Sequence, residues 1–164
     1  MQKIILTLAI LLVPIVAYLL YTQGEKYMPI PALQQLPLIT FNDKTPMRVY
    51  VVEQDAERIR GLSGRASIGP TEGMLFIFPK DDYHGIWMKE MNFPLDIMWL
   101  SADGTIIDAY ENVRPDSYPR VFEPKTPARF VLEVNANYMD SFNIHVGDKV
   151  NIPTSILPLD LRPR

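Results

Sequence analysis

Apolar residues are distributed along the chain in three different patterns. From Ile4 to Tyr21 they form one run in which only Thr7 and Pro14 intervene and no charge falls. From Thr22 to Pro37 the pattern dissolves into Gln, Gly and Pro, with Pro29, Pro31 and Pro37 denying regular backbone pairing. From Leu38 onward the dominant period is two, the repeat of half-buried strands.

Within that last region, Leu38 to Phe41 and Met47 to Val52 flank the turn-like Asn42-Asp43-Lys44 and predict a hairpin. Gly73 to Phe78 and Gly85 to Met91 predict further strands. Leu95 to Leu100, Ala102-Asp103-Gly104 and Thr105 to Ala109 predict a second hairpin, because Asp-Gly supplies positive φ angles. Arg129 to Val134 alternates, with Phe130, Leu132 and Val134 on one face and Arg129, Val131 and Glu133 on the other. Lys149 to Ile152 closes the set. Two short helices are expected, Ala56 to Leu62 capped by Asp55 and Ala136 to Phe142 capped by Asn135. Together these elements predict an α+β, mostly β domain: a strongly curved sheet or partly open barrel with two short helices.

The N-terminal run changes where that domain is expected to work. Eighteen residues from Ile4 to Tyr21 give roughly 27 Å of helix, close to a bilayer's hydrocarbon thickness. Lys3 precedes the run, whereas Glu25 and Lys26 cancel after it, so the N-terminus is expected in the cytoplasm and the domain in the periplasm or another extracytoplasmic space. Ala17 offers a cleavage position, but Ile15 is bulkier than the usual small residue there, which favours a retained signal anchor over secretion after cleavage. The expected organisation is a transmembrane helix within 1–21, a Pro-containing linker at 22–37, a domain at 38–153 and a Pro-containing tail at 154–164.

Charge and composition narrow the chemistry. The chain of 164 residues carries 16 Lys and Arg against 19 Asp and Glu, a net charge of −3, and lacks the basic excess that broad nucleic-acid binding requires. With no cysteine, disulfides, thiolate nucleophiles and Cys-ligated metals are excluded.

A set of motifs spans most of residues 45–152 in order. Arg58-Ile-Arg-Gly-Leu-Ser-Gly-Arg65 is followed by Gly73-Met-Leu-Phe76, Trp87-Met-Lys89 and Phe93-Pro-Leu-Asp-Ile97; then come Asn112-Val113 with Pro115, Tyr118-Pro119, Arg129 to Val134 and Val146-Gly-Asp148. In these motifs the chain resembles the domain of unknown function 192 family. Ser63 and Gly64 depart from the larger apolar residues of many members, and Asn137 stands where Gly is usual, a replacement compatible with a left-handed turn. The resemblance implies a compact, mostly β domain, often exported or tethered in prokaryotes, with no established reaction.

Several polar residues are candidates for chemistry. Asp96 lies in an otherwise apolar strand and must meet backbone donors or a cation such as Lys89, Arg58 or Arg65; it serves as a structural carboxylate, a ligand-binding group, or one half of an acid/base pair with Glu133. Arg58, Arg60 and Arg65 around Gly61 and Gly64 suit an anion. Trp87 and Lys89 on one strand face suit a sugar or peptide, against the alternative of Trp87 in the core beneath the Lys89 stem; Trp99 invites the same core reading. His84, Trp87, Met88 and Met91 would surround Cu(I) on a helix but not on a strand, so no metal is expected. His145 reads as a turn residue, and no Ser or Cys nucleophile motif supports a triad.

The sequence therefore predicts a non-catalytic, membrane-tethered binding domain for a small anionic or glycan-like ligand, held in a cleft of Arg58, Arg65, Trp87 and Lys89 with Asp96 and Glu133 as further ligand-binding candidates, and without a cofactor. The alternatives are an envelope hydrolase using Asp96 and Glu133 and a non-catalytic envelope assembly factor that works through an exposed apolar patch.

Overall fold

The structure is a computed structural model and describes residues 36–162. Period-two stretches become the strands β1 (Leu38–Phe41), β2 (Thr45–Val52), β3 (Glu72–Asp82), β4 (Ile86–Trp87), β5 (Leu95–Leu100), β6 (Ile106–Val113), β7 (Val121–Phe122), β8 (Ala128–Asn135) and β9 (Val150–Asn151). Helix α1 (Asp55–Arg60) links β2 to β3, and α2 (Tyr138–Phe142) follows β8.

Seven strands form one sheet in the order β6-β5-β8-β3-β2-β1-β9, while β4 and β7 pair separately. Only β2 and β3 run parallel, as a helix-containing connection allows. The sheet curls until its ends touch at one corner. There Thr105 bridges Lys149, the Ile106 N–H donates to the Asp148 carbonyl at 2.9 Å, and the Gly147 N–H donates to the Ile106 carbonyl at 2.8 Å. Gly104, at φ +84°, makes that corner possible because a Cβ there would stand 2.4 Å from the Val150 carbonyl oxygen. The result is a half-barrel with two helices.

The curl creates two cores. The inner cluster draws on all seven strands, including Ile39, Val49, Leu75, Met98, Ile106, Phe130, Leu132 and Val150, and is completed by Tyr138 and Met139 of α2. The outer cluster contains Tyr50, Met74, Phe76, Leu95, Ile97, Trp99 and Val131, covered by Leu62, Ile86, Met88 and Phe122. Both faces of the central strand β8 are thus buried, so Arg129, Val131 and Glu133 lie under protein.

Both expected hairpins form, and positive φ falls on Asn42, Asp43 and Gly104 in their turns. Asn137 adopts the left-handed conformation, φ 64°, immediately before α2. The helices are shorter than the sequence pattern suggests. At α1 the cap is Gln54 rather than Asp55, with the Glu57 carboxylate accepting the Gln54 N–H at 3.3 Å. Strand pairing after Gly85 lasts only two residues, because Glu90 takes φ 55° and the Met91 N–H turns back to the Met88 carbonyl. Consequently Trp87 is 43% exposed instead of lying in the core, while Trp99 is fully buried and donates its indole N–H to the His84 carbonyl at 2.8 Å.

Beyond Ile152, two 3-10 turns (Thr154–Ile156 and Leu159–Leu161) pack Ile156, Leu157 and Leu161 on the inner core, and Arg129 pairs with Asp160, so the Pro-containing tail is part of the domain. Among the described residues no helix is long and apolar enough to cross a membrane. The run Ile4 to Tyr21 lies outside those residues, as does the linker up to residue 35; Leu36 already belongs to the outer core.

Candidate functional site

The outer face of the sheet carries a roofed pocket. Its roof begins at α1, which ends because Gly61 takes φ 49° and ψ −131°, a conformation open to glycine, while its N–H closes the helix on the Glu57 carbonyl at 2.8 Å. A Cβ at Gly61 would stand 3.3 Å from the Phe76 ring, so the chain passes directly over the sheet. The following loop is tied to the segment after β4 by three hydrogen bonds. The Ser63 hydroxyl donates to the Lys89 carbonyl at 2.8 Å, the Gly64 N–H to the Glu90 carbonyl at 2.9 Å, and the Asn92 amide to the Arg65 carbonyl at 2.9 Å.

Arg58 fixes the helix to the sheet. Its guanidinium donates to the Ile77 carbonyl at 2.8 Å, to the Glu53 carbonyl and to the Asp55 carboxylate, and lies 5.2 Å from the centre of the Phe78 ring. On Phe78 the His84 imidazole stacks at 3.5 Å, its Nε2 is 3.0 Å from the Lys80 carbonyl, and burial lowers its pKa.

The pocket between this roof and the sheet holds about 590 Å³ of empty space, counting its open mouth. Phe76, Ile86, Trp87 and Met91 give it apolar walls, Arg58, Arg60, Gly61 and Ser63 line the α1 side, and Glu133 of β8 reaches it from the sheet. Glu133 is 5% exposed and makes no hydrogen bond or ion pair among the described residues, and burial pushes its pKa up from 4.5 to about 8. A carboxyl group in this state is mostly protonated at neutral pH, uncharged, and open to a donor or acceptor brought by a ligand.

Of the six expected binding residues, Arg58, Trp87 and Glu133 share this pocket. Arg65 and Lys89 do not line it: the Arg65 guanidinium lies 4.4 Å from the centre of the Tyr50 ring, and Lys89 contributes its backbone carbonyl to the roof. Asp96 is on the other face of the sheet. In the β5–β8 register Ile97 faces Glu133 and Asp96 faces Val134, so the two carboxyl groups point to opposite cores. Asp96 meets backbone donors rather than Lys89, Arg58 or Arg65. It accepts the N–H groups of Asn112 at 2.8 Å, Asn137 at 3.2 Å and Met139 at 3.0 Å, tying β6 and the start of α2 to the inner core. Two carboxyl groups on opposite sides of a sheet cannot act on one substrate, which removes the geometry the hydrolase reading needed.

Phe76 and Ser63 are pocket residues that the sequence reading did not assign, while Gly61 entered it beside the anion-binding arginines and Met91 as a soft metal ligand. Their signal was contiguity with Arg58 to Arg65 and with Trp87, but only the parallel β2–β3 connection shows that those segments meet over Glu133. Met88 is buried in the outer core while Met91 lines the pocket, so the soft-ligand set does not converge. Among the described residues no group of three or more His, Asp or Glu side chains is placed to hold a metal ion.

The family model for domain of unknown function 192, described as "Uncharacterized ACR", matches residues 38–152, and the chain belongs to this family. Two solved structures share the fold and more than a quarter of their residues with it. One, from Novosphingobium aromaticivorans DSM 12444 and described as a protein of unknown function, is 28% identical with a TM-score of 0.68; the match covers 76% of this chain and 89% of that one. The other, from Sinorhizobium meliloti 1021 and described as a "putative transcription regulator", is 27% identical with a TM-score of 0.67, over 71% of this chain and 92% of that one. No curated protein matches the chain.

Proposed function

We propose that the chain is a non-catalytic binding protein, tethered to the membrane by its N-terminal apolar run with the domain outside the cytoplasm, and that the roofed pocket on the outer sheet face takes a small ligand with one polar and one apolar side. The observation that carries this reading is Glu133, 5% exposed and without a hydrogen-bond or ion-pair partner among the described residues, at a pocket open to solvent. A buried polar group with no partner costs stability, and a ligand that completes its hydrogen bonding recovers part of that cost.

The sugar-like half of the expected ligand chemistry suits the site, since Trp87 offers an exposed indole face beside a carboxyl group. The anionic half falls to Arg60 at the α1 side, because Arg58 already serves three oxygen acceptors and Arg65 and Lys89 do not line the pocket. Transcriptional regulation, the description attached to the Sinorhizobium protein, gains no support from residues 38–153, which carry 12 Lys and Arg against 17 Asp and Glu.

A thermal-shift screen of small polar molecules on the full chain tests the pocket. Hits should weaken in Glu133→Leu and in Trp87→Ala, and hits indifferent to both would overturn it. Compartment reporters fused after Arg164, with membrane fractionation, test the tether: an extracytoplasmic, membrane-bound signal is expected, and a cytoplasmic one would refute it.

A further inference from the structure

Both walls of the pocket carry main-chain groups that the fold leaves over. One wall is β4. Ile86 and Trp87 both line the pocket although successive strand side chains point to opposite faces, and no residue of β7 lines it, so the pocket runs along the edge of β4 that β7 leaves free. Adjacent residues of an antiparallel strand send their N–H and C=O to opposite edges. One of the two therefore turns both groups toward the pocket, and among the described residues neither Ile86 nor Trp87 has a main-chain partner outside the β4–β7 ladder. The other wall is the end of α1. Leu62 is 2% exposed, yet its N–H meets no acceptor among the described residues. Arg60 lines the same wall with a guanidinium that makes no hydrogen bond or ion pair among those residues, whereas Arg58 is committed to Glu53, Asp55 and Ile77. Two donors, one of them charged, suit the two oxygens of a carboxylate. Beyond them the walls meet, because the Ser63 hydroxyl and the Gly64 N–H hold the Lys89 and Glu90 carbonyls.

Resting on the pocket reading above, we infer that the ligand is the carboxyl end of an extended peptide. Its terminal carboxylate seats on Arg60 and the Leu62 N–H, its main chain pairs with the free edge of β4, and its last side chain lies against Phe76 and Met91. A strand edge offers its donor and acceptor at the repeat of another main chain. A cleft closed at one end admits a chain terminus rather than a chain passing through, and the terminus that a free guanidinium complements is the carboxylate. The Glu133 carboxyl, on the sheet side of the cleft, is left for a main-chain amide of the last residues.

Two pools of acetylated tripeptides, randomised at every position, test this on the full chain in detergent; one pool ends in the free carboxylate and the other in the amide. Binders should come from the free-acid pool, and the best of them, resynthesised, should shift the Trp87 indole N–H signal in NMR titrations. Its amide should bind at least about tenfold more weakly, as should the acid itself to Arg60→Gln, a change at an exposed position. Arg60→Gln should leave binding of the amide unchanged. Methylating successive amide nitrogens of the peptide should abolish binding at one position and spare it at the next, because neighbouring N–H groups of a strand point to opposite edges. An amide that binds as well as the acid overturns the carboxylate assignment, and tolerance of methylation at both positions overturns the strand pairing. Binding without a Trp87 response puts the peptide elsewhere and overturns the proposal too. No binder from either pool overturns the peptide altogether; thermal-shift hits that depend on Glu133 and Trp87 would then leave the pocket itself standing, and hits indifferent to both would remove it.

Discussion

Two buried carboxyl groups, Asp96 and Glu133, sit one register position apart on neighbouring strands and face opposite sides of the same sheet. Toward the inner core, Asp96 collects three backbone N–H groups from β6 and the α2 entry. Toward the outer core, Glu133 collects none among the described residues and borders a pocket. Burial is therefore a poor guide to role, whereas the donor inventory separates them. A carboxylate saturated by main-chain donors joins elements, and one left bare beside a pocket is available to a ligand.

The largest effect expected from breaking this contrast is at Asp96. Asp96→Ala removes the acceptor of three N–H groups, that of buried Met139 and those of Asn112 and Asn137 in part-buried bonds, and it should destabilise the domain by about 3 kcal/mol, given roughly 1–3 kcal/mol for a buried donor left unsatisfied and less where water can replace the carboxylate. Chemical denaturation measures this. A loss below about 1 kcal/mol would mean that α2 and β6 find other acceptors, and Asp96 would no longer qualify as a structural joint.

Glu133 should respond in the opposite sense. Its folded pKa, about 8, is above the value of 4.5 for an ordinary glutamate, so the folded state holds the proton more tightly than the unfolded chain. Stability is then highest below the unfolded value and is lost as pH rises from about 4.5 to about 8, at roughly 1.4 kcal/mol for each unit. Glu133→Gln has no such dependence. It should match the parent near pH 4 and exceed it by about 3 kcal/mol at pH 7, read from denaturation midpoints across that range. Equal stability at both pH values would show that water reaches Glu133 and that the contrast with Asp96 is one of degree.

The contrast was only half legible in the chain. A lone Asp among Leu95, Ile97 and Met98 announces a buried carboxylate, but its donors come from Asn112, Asn137 and Met139, remote positions that no local spacing connects to it. Glu133 was visible as the polar member of an alternating strand. Alternation normally marks a solvent face, and here that face is covered by the loops after α1 and β4, so its burial depends on tertiary cover. Hairpins with Asn-Asp and Asp-Gly turns were readable because φ > 0 is a local demand. The brevity of β4 was not, because Glu90 provides its left-handed turn without a glycine or asparagine to signal it.

The roof offers a sharper cut at the outer side alone. Gly61→Ala should cost about 2 kcal/mol, because an L residue is strained at φ 49° and ψ −131° and the added methyl would press on the Phe76 ring. The same substitution should shift the NMR signals of Ser63, Trp87 and Met91 and leave those of Asn137 and Met139 unmoved. Coupled movement at α2 would show that the two faces of the sheet are not independent.

The smallest stability effect belongs to Trp87, and its smallness is informative. At 43% exposure, on a strand only two residues long, the indole buries limited apolar area, while its neighbours Ile86 and Met88 are buried and hold the segment down. Trp87→Ala should therefore alter stability by no more than about 1 kcal/mol, well under the 3–5 kcal/mol typical of truncating a core aromatic. A large loss would place the indole among the outer-core residues, as the core reading of the sequence had it. A small loss of stability combined with at least about tenfold weaker binding of a thermal-shift hit would separate Trp87 from Trp99, whose ring is fully buried. The sheet would then present one indole as packing and the other as a binding surface, mirroring the division between Asp96 and Glu133.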